Sequence, residues 1–502
     1  MLKQMFPWVQ VDPRILEWEK NMLATEERNQ ELKKAESAEL EWHDGIFQDP
    51  PLFPHQKKAL DLVWKNRNFA LSMEMGTAKT RIIIELMAFL KRQGETKPWL
   101  VACPLSVVGV WAEQIRQYAP SLVPVKLVGD RYEREKLLAT CGDVYIINYE
   151  GVRLLSNKLE DRPWAGFTCD ESHRIKSRTS QQSKCCYGIG KKSDRRYLLT
   201  GTMITNNPLD AFGQFKFLDE SILGSNFFAF QNRYAIMVTN GRARFPVKFI
   251  NLQDLANRIA PWTYRITKEE AKLGLPAKIY ETRYVELPDN ARKIYRQLGK
   301  ELLAEIGDKV VTAQIVLTKI LRFSQITAGF VKTEEGSEEE LHERKIDELM
   351  DVLGQAEGQC VVWTKFKKEM DMVGERLEKA GIGFATFSGD TSQEEREVIL
   401  RRFRDNELKV FVGQIQAGGT GISLATASTC VYMSNPFSLG DRLQSEDRLH
   451  RIGQKNAVTY IDLICPGTID ETVIKILKNK KSMADIIQGD TNLQMLIEGR
   501  EQ

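Results

Sequence analysis

No stretch of this 502-residue chain is apolar for the length of a membrane span, and candidates such as Arg81–Leu90 are too short or broken by charge. The first ten residues, MLKQMFPWVQ, lack an apolar core before a small-residue cleavage site, so no signal peptide is read. The 8 cysteines form no C-x-x-C pair. The adjacent Cys185 and Cys186 suit neither a disulfide nor a zinc site. These absences predict reduced, buried thiols and a cytoplasmic setting. A charge of one sign is missing too. The net charge is +3, so any polyanion must be met by local clusters such as Arg174–Arg178, Lys191–Arg196, Arg242–Lys248 and Arg401–Arg404. No low-complexity segment, zinc module or nuclease-type carboxylate–lysine constellation is recognisable.

What is present is ordinary globular composition, 42% hydrophobic and 28% charged, at a length that suits two or three domains. Pro13 to about Trp42 is charged, with apolar residues at loose helical spacing, and predicts one long helix or two shorter ones. From about Pro51 short apolar strands alternate with amphipathic helices: Phe69–Met73, Trp99–Cys103, Val144–Ile147, Gly166–Cys169 and Arg196–Leu199. This is the βαβ rhythm of a parallel sheet. It lapses after Asn206, where Asp210–Arg233 and Leu252–Ala260 predict helices and Thr239–Phe249 a basic hairpin. A strand over Lys278–Leu287 and helices over Asn290–Ile306 and Thr312–Ile326 follow, then an acidic linker, Glu334–Glu343. From Ile346 the rhythm returns with Cys360–Thr364, Phe384–Phe387, Lys409–Gly413, Thr429–Met433 and Val458–Leu463. The predicted fold is α/β, two lobes with parallel sheets and a helical insertion. The expected boundaries are an N-terminal helical segment at 1–48, a first lobe at 49–288 with its insertion at about 206–276, a helical protrusion and linker at 289–345, a second lobe at 346–485, and a tail at 486–502.

Two constellations carry chemistry. Gly76-Thr77-Ala78-Lys79-Thr80 follows a short strand and opens a helix, which is the setting of a phosphate-binding loop. Lys79 reaches the β- and γ-phosphates in such a loop, and the Thr80 hydroxyl ligates magnesium. Ala78 stands where glycine is usual, and taken alone the loop is even-handed between nucleotide binding and an ordinary turn. Asp170-Glu171 ends the strand Phe167–Cys169, and two carboxylates there point into the crevice where open sheets bind ligands. Asp170 is the candidate magnesium holder and Glu171 the candidate polariser of the attacking water. In the second lobe Arg448 and Arg451 are three apart, so a helix places them on one face, where they could act as arginine fingers. A plain surface helix is the alternative. The glycine-rich turn Ala417–Gly421 suits close approach to a phosphate.

With these residues in view, the chain resembles the Swi/Snf-type ATPases of helicase superfamily two, over roughly Leu52 to Thr472, in a compact bacterial- or phage-like form. The resemblance implies two RecA-like lobes, ATP and magnesium as cofactors, and duplex DNA as the partner. It makes Gln56 of Phe53-Pro54-His55-Gln56 the adenine contact and Gly76–Thr80, Gly421 and Gln444 ATP-binding. It makes Pro104 and Ser106 (with Trp111), Asn148, Tyr149, Thr200, Gly201, Thr202, Thr364, Ser388, Gly389, Gly418, Gly419 and Thr420 DNA-facing. Leu275-Pro276-Ala277-Lys278 resembles the segment that leads into the family's protrusion, and Arg396 and Phe403 follow the Ser388-Gly389-Asp390 motif. His173, ending Asp-Glu-Ser-His, and His450 fall inside the matches as coupling residues. Ala78, Met203, Ser423 and Ser434-Asn435-Pro436 depart from the family pattern. The expected activity is DNA-dependent ATP hydrolysis that drives a monomer along duplex DNA in repair, recombination or remodelling of protein–DNA complexes. The N-terminal segment is a candidate surface for a protein partner. A strand-separating or annealing helicase, an ATP-binding protein with weakened hydrolysis, and the motor subunit of a defence complex stay open.

Overall fold

The computed structural model describes residues 51–478, except 202, 205–206, 241–242, 309–312, 334–335 and 418–421. The predicted N-terminal helical segment, the C-terminal tail, Thr202, Gly418, Gly419, Thr420 and Gly421 lie outside the described residues. The described chain divides into two compact units, residues 51–74 with 78–271, and residues 75–77 with 272–478.

The first unit contains strands β1 (Asn68–Met73), β2 (Trp99–Cys103), β3 (Pro124–Leu127), β4 (Val144–Asn148), β5 (Gly166–Asp170) and β6 (Arg196–Thr200), a hairpin of β7 (Ala235–Asn240) and β8 (Ala243–Phe249), and β9 (Thr263–Ile266). Seven of these form one sheet in the order β3-β4-β2-β5-β6-β1-β9. Every pairing in it is parallel. The central strands read as continuous apolar runs because both faces are covered by helices. The strand period of two then divides them: Leu71, Val101, Ile146 and Leu199 enter one core, while Ala70, Leu100, Ile147 and Leu198 enter the other.

The second unit continues with β10 (Lys278–Tyr284), the short β11 (Phe330–Lys332) and β12 (Glu338–Glu340), then β13 (Cys360–Thr364), β14 (Phe384–Phe387), β15 (Val410–Gln414), β16 (Thr429–Tyr432) and β17 (Val458–Ile464). Its six-stranded sheet runs β10-β17-β16-β13-β15-β14, again all parallel. The helices Asp289–Asp308 and Ala313–Ala328 contribute Ala291, Tyr295, Ile320 and Phe323 to one core with Ile469, Val473 and Ile476 of the helix Ile469–Lys478. Both units are thus the parallel α/β lobes that the alternating pattern predicts.

Four local expectations change. β10, assigned by pattern to the first lobe, pairs along its whole length with β17 of the second sheet. β3 and β9 were not predicted as strands; they are short, 4 residues each, and only half-buried in part. The acidic linker Glu334–Glu343 contains a strand, β12, which pairs antiparallel with β11. The single helical run over Asp210–Arg233 is three helices, Ala211–Leu218, Glu220–Leu223 and Phe227–Tyr234. Two side-chain caps restart it: Asp219 accepts from Ser221 N at 2.8 Å, and Asn226 from Phe228 N at 2.9 Å.

Candidate active site

Parallel strands put all their carboxyl ends on one rim. Ser72 of β1 pairs with Thr200 of β6, and Leu199 of β6 pairs with Asp170 of β5. The phosphate-loop strand and the carboxylate strand are therefore separated by one strand only, roughly 10 Å at ordinary strand spacing. The loop after β1, the turn after β6 and the Asp170-Glu171 pair after β5 emerge side by side.

The loop has the backbone that its sequence motif demands despite the missing glycine. Ala78 is left-handed, φ 61° and ψ 46°, at the start of the helix Lys79–Arg92, and Gly76 is also positive at φ 82°. A left-handed alanine costs roughly 1–2 kcal/mol, so the loop holds a glycine-like shape against its own Cβ. The Lys79 ammonium donates to the Met73 carbonyl at 2.8 Å. It is thus folded onto the loop at the place where phosphate oxygens would replace carbonyls. Thr80 follows in the first helical turn.

Asp170 is buried. The Trp111 indole Nε1 donates to its Oδ2 at 2.9 Å, and the Glu171 backbone N–H to its Oδ1 at 2.9 Å. Burial above all, and then the adjacent Glu171, push its carboxyl up to about 6; the Trp111 bond and the Lys79 charge oppose this. A buried carboxylate whose charge is under-compensated suits a cation. Among the described residues no group of three or more His, Cys, Asp or Glu side chains could hold a metal. The donor set fits magnesium, which takes one or two protein oxygens and fills the rest from phosphates and water. Glu171 is left-handed at φ 50°, and its carboxylate lies 3.5 Å from His173 Nδ1.

Gln214 and Arg134 carry no recognisable signal in the sequence, and Trp111 stands there only beside the DNA-facing motif at Pro104 and Ser106. Trp111, expected on the DNA side, is fully buried and orients Asp170 instead. Gln214 accepts from Ser172 Oγ at 2.8 Å and donates to the Met203 carbonyl at 2.7 Å. It joins the Asp-Glu-Ser-His turn to the Thr200–Met203 turn through a buried amide. Arg134 donates to Asn148 Oδ1 at 2.8 Å.

Several predicted DNA contacts have partners within the protein. Tyr149 is buried, and its hydroxyl donates to the Asp170 carbonyl at 2.6 Å. Asn148 is buried between Arg134 and Glu150. Pro104, Thr200, Thr364 and Ser388 are buried as well, whereas Ser106 and Gly201 are half-buried and Gly389 is exposed. Arg396 is spent on shaping that last turn, donating to the Ser388 and Thr391 carbonyls at 2.8 and 2.9 Å. Gln56 is also buried. Its Oε1 accepts from Phe53 N at 2.9 Å, a capping interaction at the start of the helix Pro54–Lys65.

In the second unit the arginines are not on a helix. The helix Leu439–Glu446 ends before them, and Arg448 and Arg451 lie in the turns that follow. The turn is fixed by its surroundings. Leu424 N donates to the Arg448 carbonyl at 2.9 Å, Arg451 Nη1 donates to the Ile422 carbonyl at 3.2 Å, and His450 Nε2 donates to the Pro276 carbonyl at 2.7 Å. Gln444 is half-buried on the helix. Glu446, which ends that helix, binds Arg442 Nε at 2.9 Å, Lys278 Nζ at 3.0 Å and Tyr280 OH at 2.7 Å. Burial works to raise its carboxyl, but Lys278 and Arg442 outweigh it and hold the group below its usual range.

A family model described as the SNF2-related domain matches residues 20–336, and one described as the helicase conserved C-terminal domain matches residues 344–453. The chain belongs to the SNF2-related family. YwqA of Bacillus subtilis, which bears the name "Putative ATP-dependent helicase/translocase", is 27% identical over 459 residues, covering 88% of this chain and 49% of that protein. The transcription regulatory protein SNF2 of Saccharomyces cerevisiae is 26% identical over 442 residues, covering 81% of this chain and 26% of its own. The chain therefore spans about half or less of the length of these curated relatives. Among solved structures, the Sulfolobus solfataricus SWI2/SNF2 ATPase core in complex with dsDNA is similar over 89% of this chain and 95% of that one, at 25% identity and a TM-score of 0.42. No helix among the described residues is long and apolar enough to cross a membrane.

Proposed function

We propose that this SNF2-family chain is a DNA-dependent ATPase that moves along duplex DNA and serves repair, recombination or the remodelling of protein–DNA complexes. The observation that carries the reading is the shared rim of β1, β6 and β5. It sets a glycine-shaped phosphate loop beside a buried aspartate and a glutamate, with the Gln214 relay linking that pair to the β6 turn. In this reading Lys79 leaves the Met73 carbonyl for the phosphates, and Thr80 and Asp170 hold the magnesium. The ion supplies charge neutralisation at the phosphates when bound. Glu171 orients the attacking water, and His173, 3.5 Å away, steadies its carboxylate. Arg448 and Arg451, in the second unit, are the candidate arginine fingers. Turnover moves the β6 turn through Ser172 and Gln214, which is how hydrolysis reaches the DNA side.

A second reading, ATP binding with weakened turnover, is favoured by one observation, the left-handed alanine at position 78. Steady-state ATP hydrolysis without nucleic acid, and with single-stranded DNA, duplex DNA or RNA, separates the two. The motor reading expects strong stimulation by duplex DNA, and a loss of about a thousandfold in Glu171→Gln with ATP binding retained. ATP binding without turnover on any nucleic acid would overturn it. Stimulation by single strands or RNA alone would move the reading to a strand-separating helicase.

A further inference from the structure

The β7–β8 hairpin belongs to the first unit but joins neither its sheet nor the rim that holds the site. Its inner side is anchored: Met237 and Phe249 pack against Leu209, Phe212, Phe230 and Leu255. Its outer side is unusual. Val238 pairs with Phe245 across the ribbon, Ile236 two residues along pairs with Lys248, and Val247 is the extra residue of the irregularity beside them, so the four are neighbours on the ribbon. Their exposures are 46% for Ile236, 44% for Val238, 44% for Phe245 and 54% for Val247. An exposed strand face is ordinarily polar, and a contiguous apolar one marks something that is bound.

Charge says what kind of thing. Residues 235–249 contain Arg242, Arg244 and Lys248 and no Asp or Glu. Asp254, on the following helix Leu252–Ile259, is already engaged by Arg233 at 2.9 Å and Arg258 at 3.2 Å. The occupant is therefore anionic and at the same time offers apolar or aromatic faces. Unpaired nucleotides combine the two, with bases packing on Phe245 and its aliphatic neighbours while a phosphate meets the exposed Lys248. A second copy of this chain adding a strand is opposed by Pro246, which has no N–H to donate, and by the register irregularity at Ile236/Met237.

We propose that the outer face of the β7–β8 hairpin binds unpaired bases of DNA where a duplex opens into single strands, giving the protein a preference for junctions over continuous duplex. The proposal rests on the reading of the chain as a DNA motor. The test uses the full chain and measures fluorescence anisotropy with a blunt duplex and with a forked duplex of equal duplex length, alongside DNA-stimulated ATP hydrolysis on each. The wild type binds the fork about tenfold tighter than the blunt duplex, the scale of one stacked base. Phe245→Ser with Val247→Ser, and independently Val238→Ser on the partner strand, bring fork binding down to the blunt-duplex level. Both variants leave hydrolysis on blunt duplex unchanged. Equal binding of fork and blunt duplex by the wild type, or an undiminished preference in both variants, overturns the proposal. So does a wild-type dimer in sedimentation that the variants convert to monomer, because the face would then join two copies. Failure of every DNA to stimulate hydrolysis in the wild type strikes the motor reading instead, and leaves the anisotropy comparison to decide the hairpin.

Discussion

Asp170 ends a strand held on both sides by parallel neighbours, whereas Arg448 lies in a turn beyond a helix that has already stopped. The first is placed by sheet register, a repeating constraint that leaves the carboxylate little freedom. The second is placed by a few single contacts, Leu424 to the Arg448 carbonyl, Arg451 to Ile422 and His450 to Pro276, with the Glu446 charge cluster just upstream. The two halves of the candidate machinery therefore differ in robustness. The carboxylate end is built into the sheet, and the arginine end depends on a local polar network that can be dismantled without touching a sheet.

The largest effect on that contrast is expected at Glu446. Glu446→Ala removes the bonds from Arg442, Lys278 and Tyr280 at once, but Arg442 keeps Asp462 and Lys278 keeps Asp447, so the loss falls at the lower end of the about 3–5 kcal/mol of a buried pair broken from one side. Urea unfolding of the full chain should show the loss in the transition of the second unit alone. An equal loss in both units would mean that the turn is not locally held. Next in size, Trp111→Phe removes the N–H that steadies Asp170, a hydrogen bond to a charged group worth about 1.5–3 kcal/mol. The magnesium concentration for half-maximal hydrolysis should rise at least about tenfold, while ATP binding measured without metal stays unchanged.

A smaller effect follows from the titration of Asp170. Its folded value, pushed up to about 6 chiefly by burial, lies above the ordinary 3.8. The folded chain therefore holds its proton more tightly than the unfolded chain. Stability from this group is fully present below about pH 4 and is lost as pH rises through 6. Asp170→Asn should flatten that part of the stability–pH profile of the nucleotide-free protein. A profile unchanged by the substitution would show that the carboxyl titrates normally. The smallest effect is at Ala78. Ala78→Gly relieves roughly 1–2 kcal/mol of left-handed strain and gives back about 0.4–1 kcal/mol through the freer unfolded chain, so the melting temperature should barely move. Removing the Cβ from the phosphate cradle should raise hydrolysis by a few-fold, and an unchanged or lower rate would show that the alanine is no hindrance.

Much of the scaffold could be read in the sequence because its signals are periodic. Trp99–Cys103, Cys360–Thr364 and Phe384–Phe387 are strands over the very residues that their apolar runs mark. The loop Gly76–Thr80 and the pair Asp170-Glu171 were legible because strand ends in a parallel sheet have one place to go. The four-residue β3 and β9 lacked a run long enough to register, and β10 gave no hint of which sheet it would join, since a strand's apolar pattern does not name its neighbour.

The sequence by itself determined the two parallel α/β lobes and the side-chain types at the phosphate loop and carboxylate rim, because both follow from local pattern and chain direction. Tertiary structure alone decided that Trp111 and Tyr149 turn inward to Asp170, that Gln214 bridges two turns, and that the arginines sit beyond their helix. Those outcomes depend on which polar groups burial leaves in need of a partner, and that depends on residues dozens of positions apart along the chain.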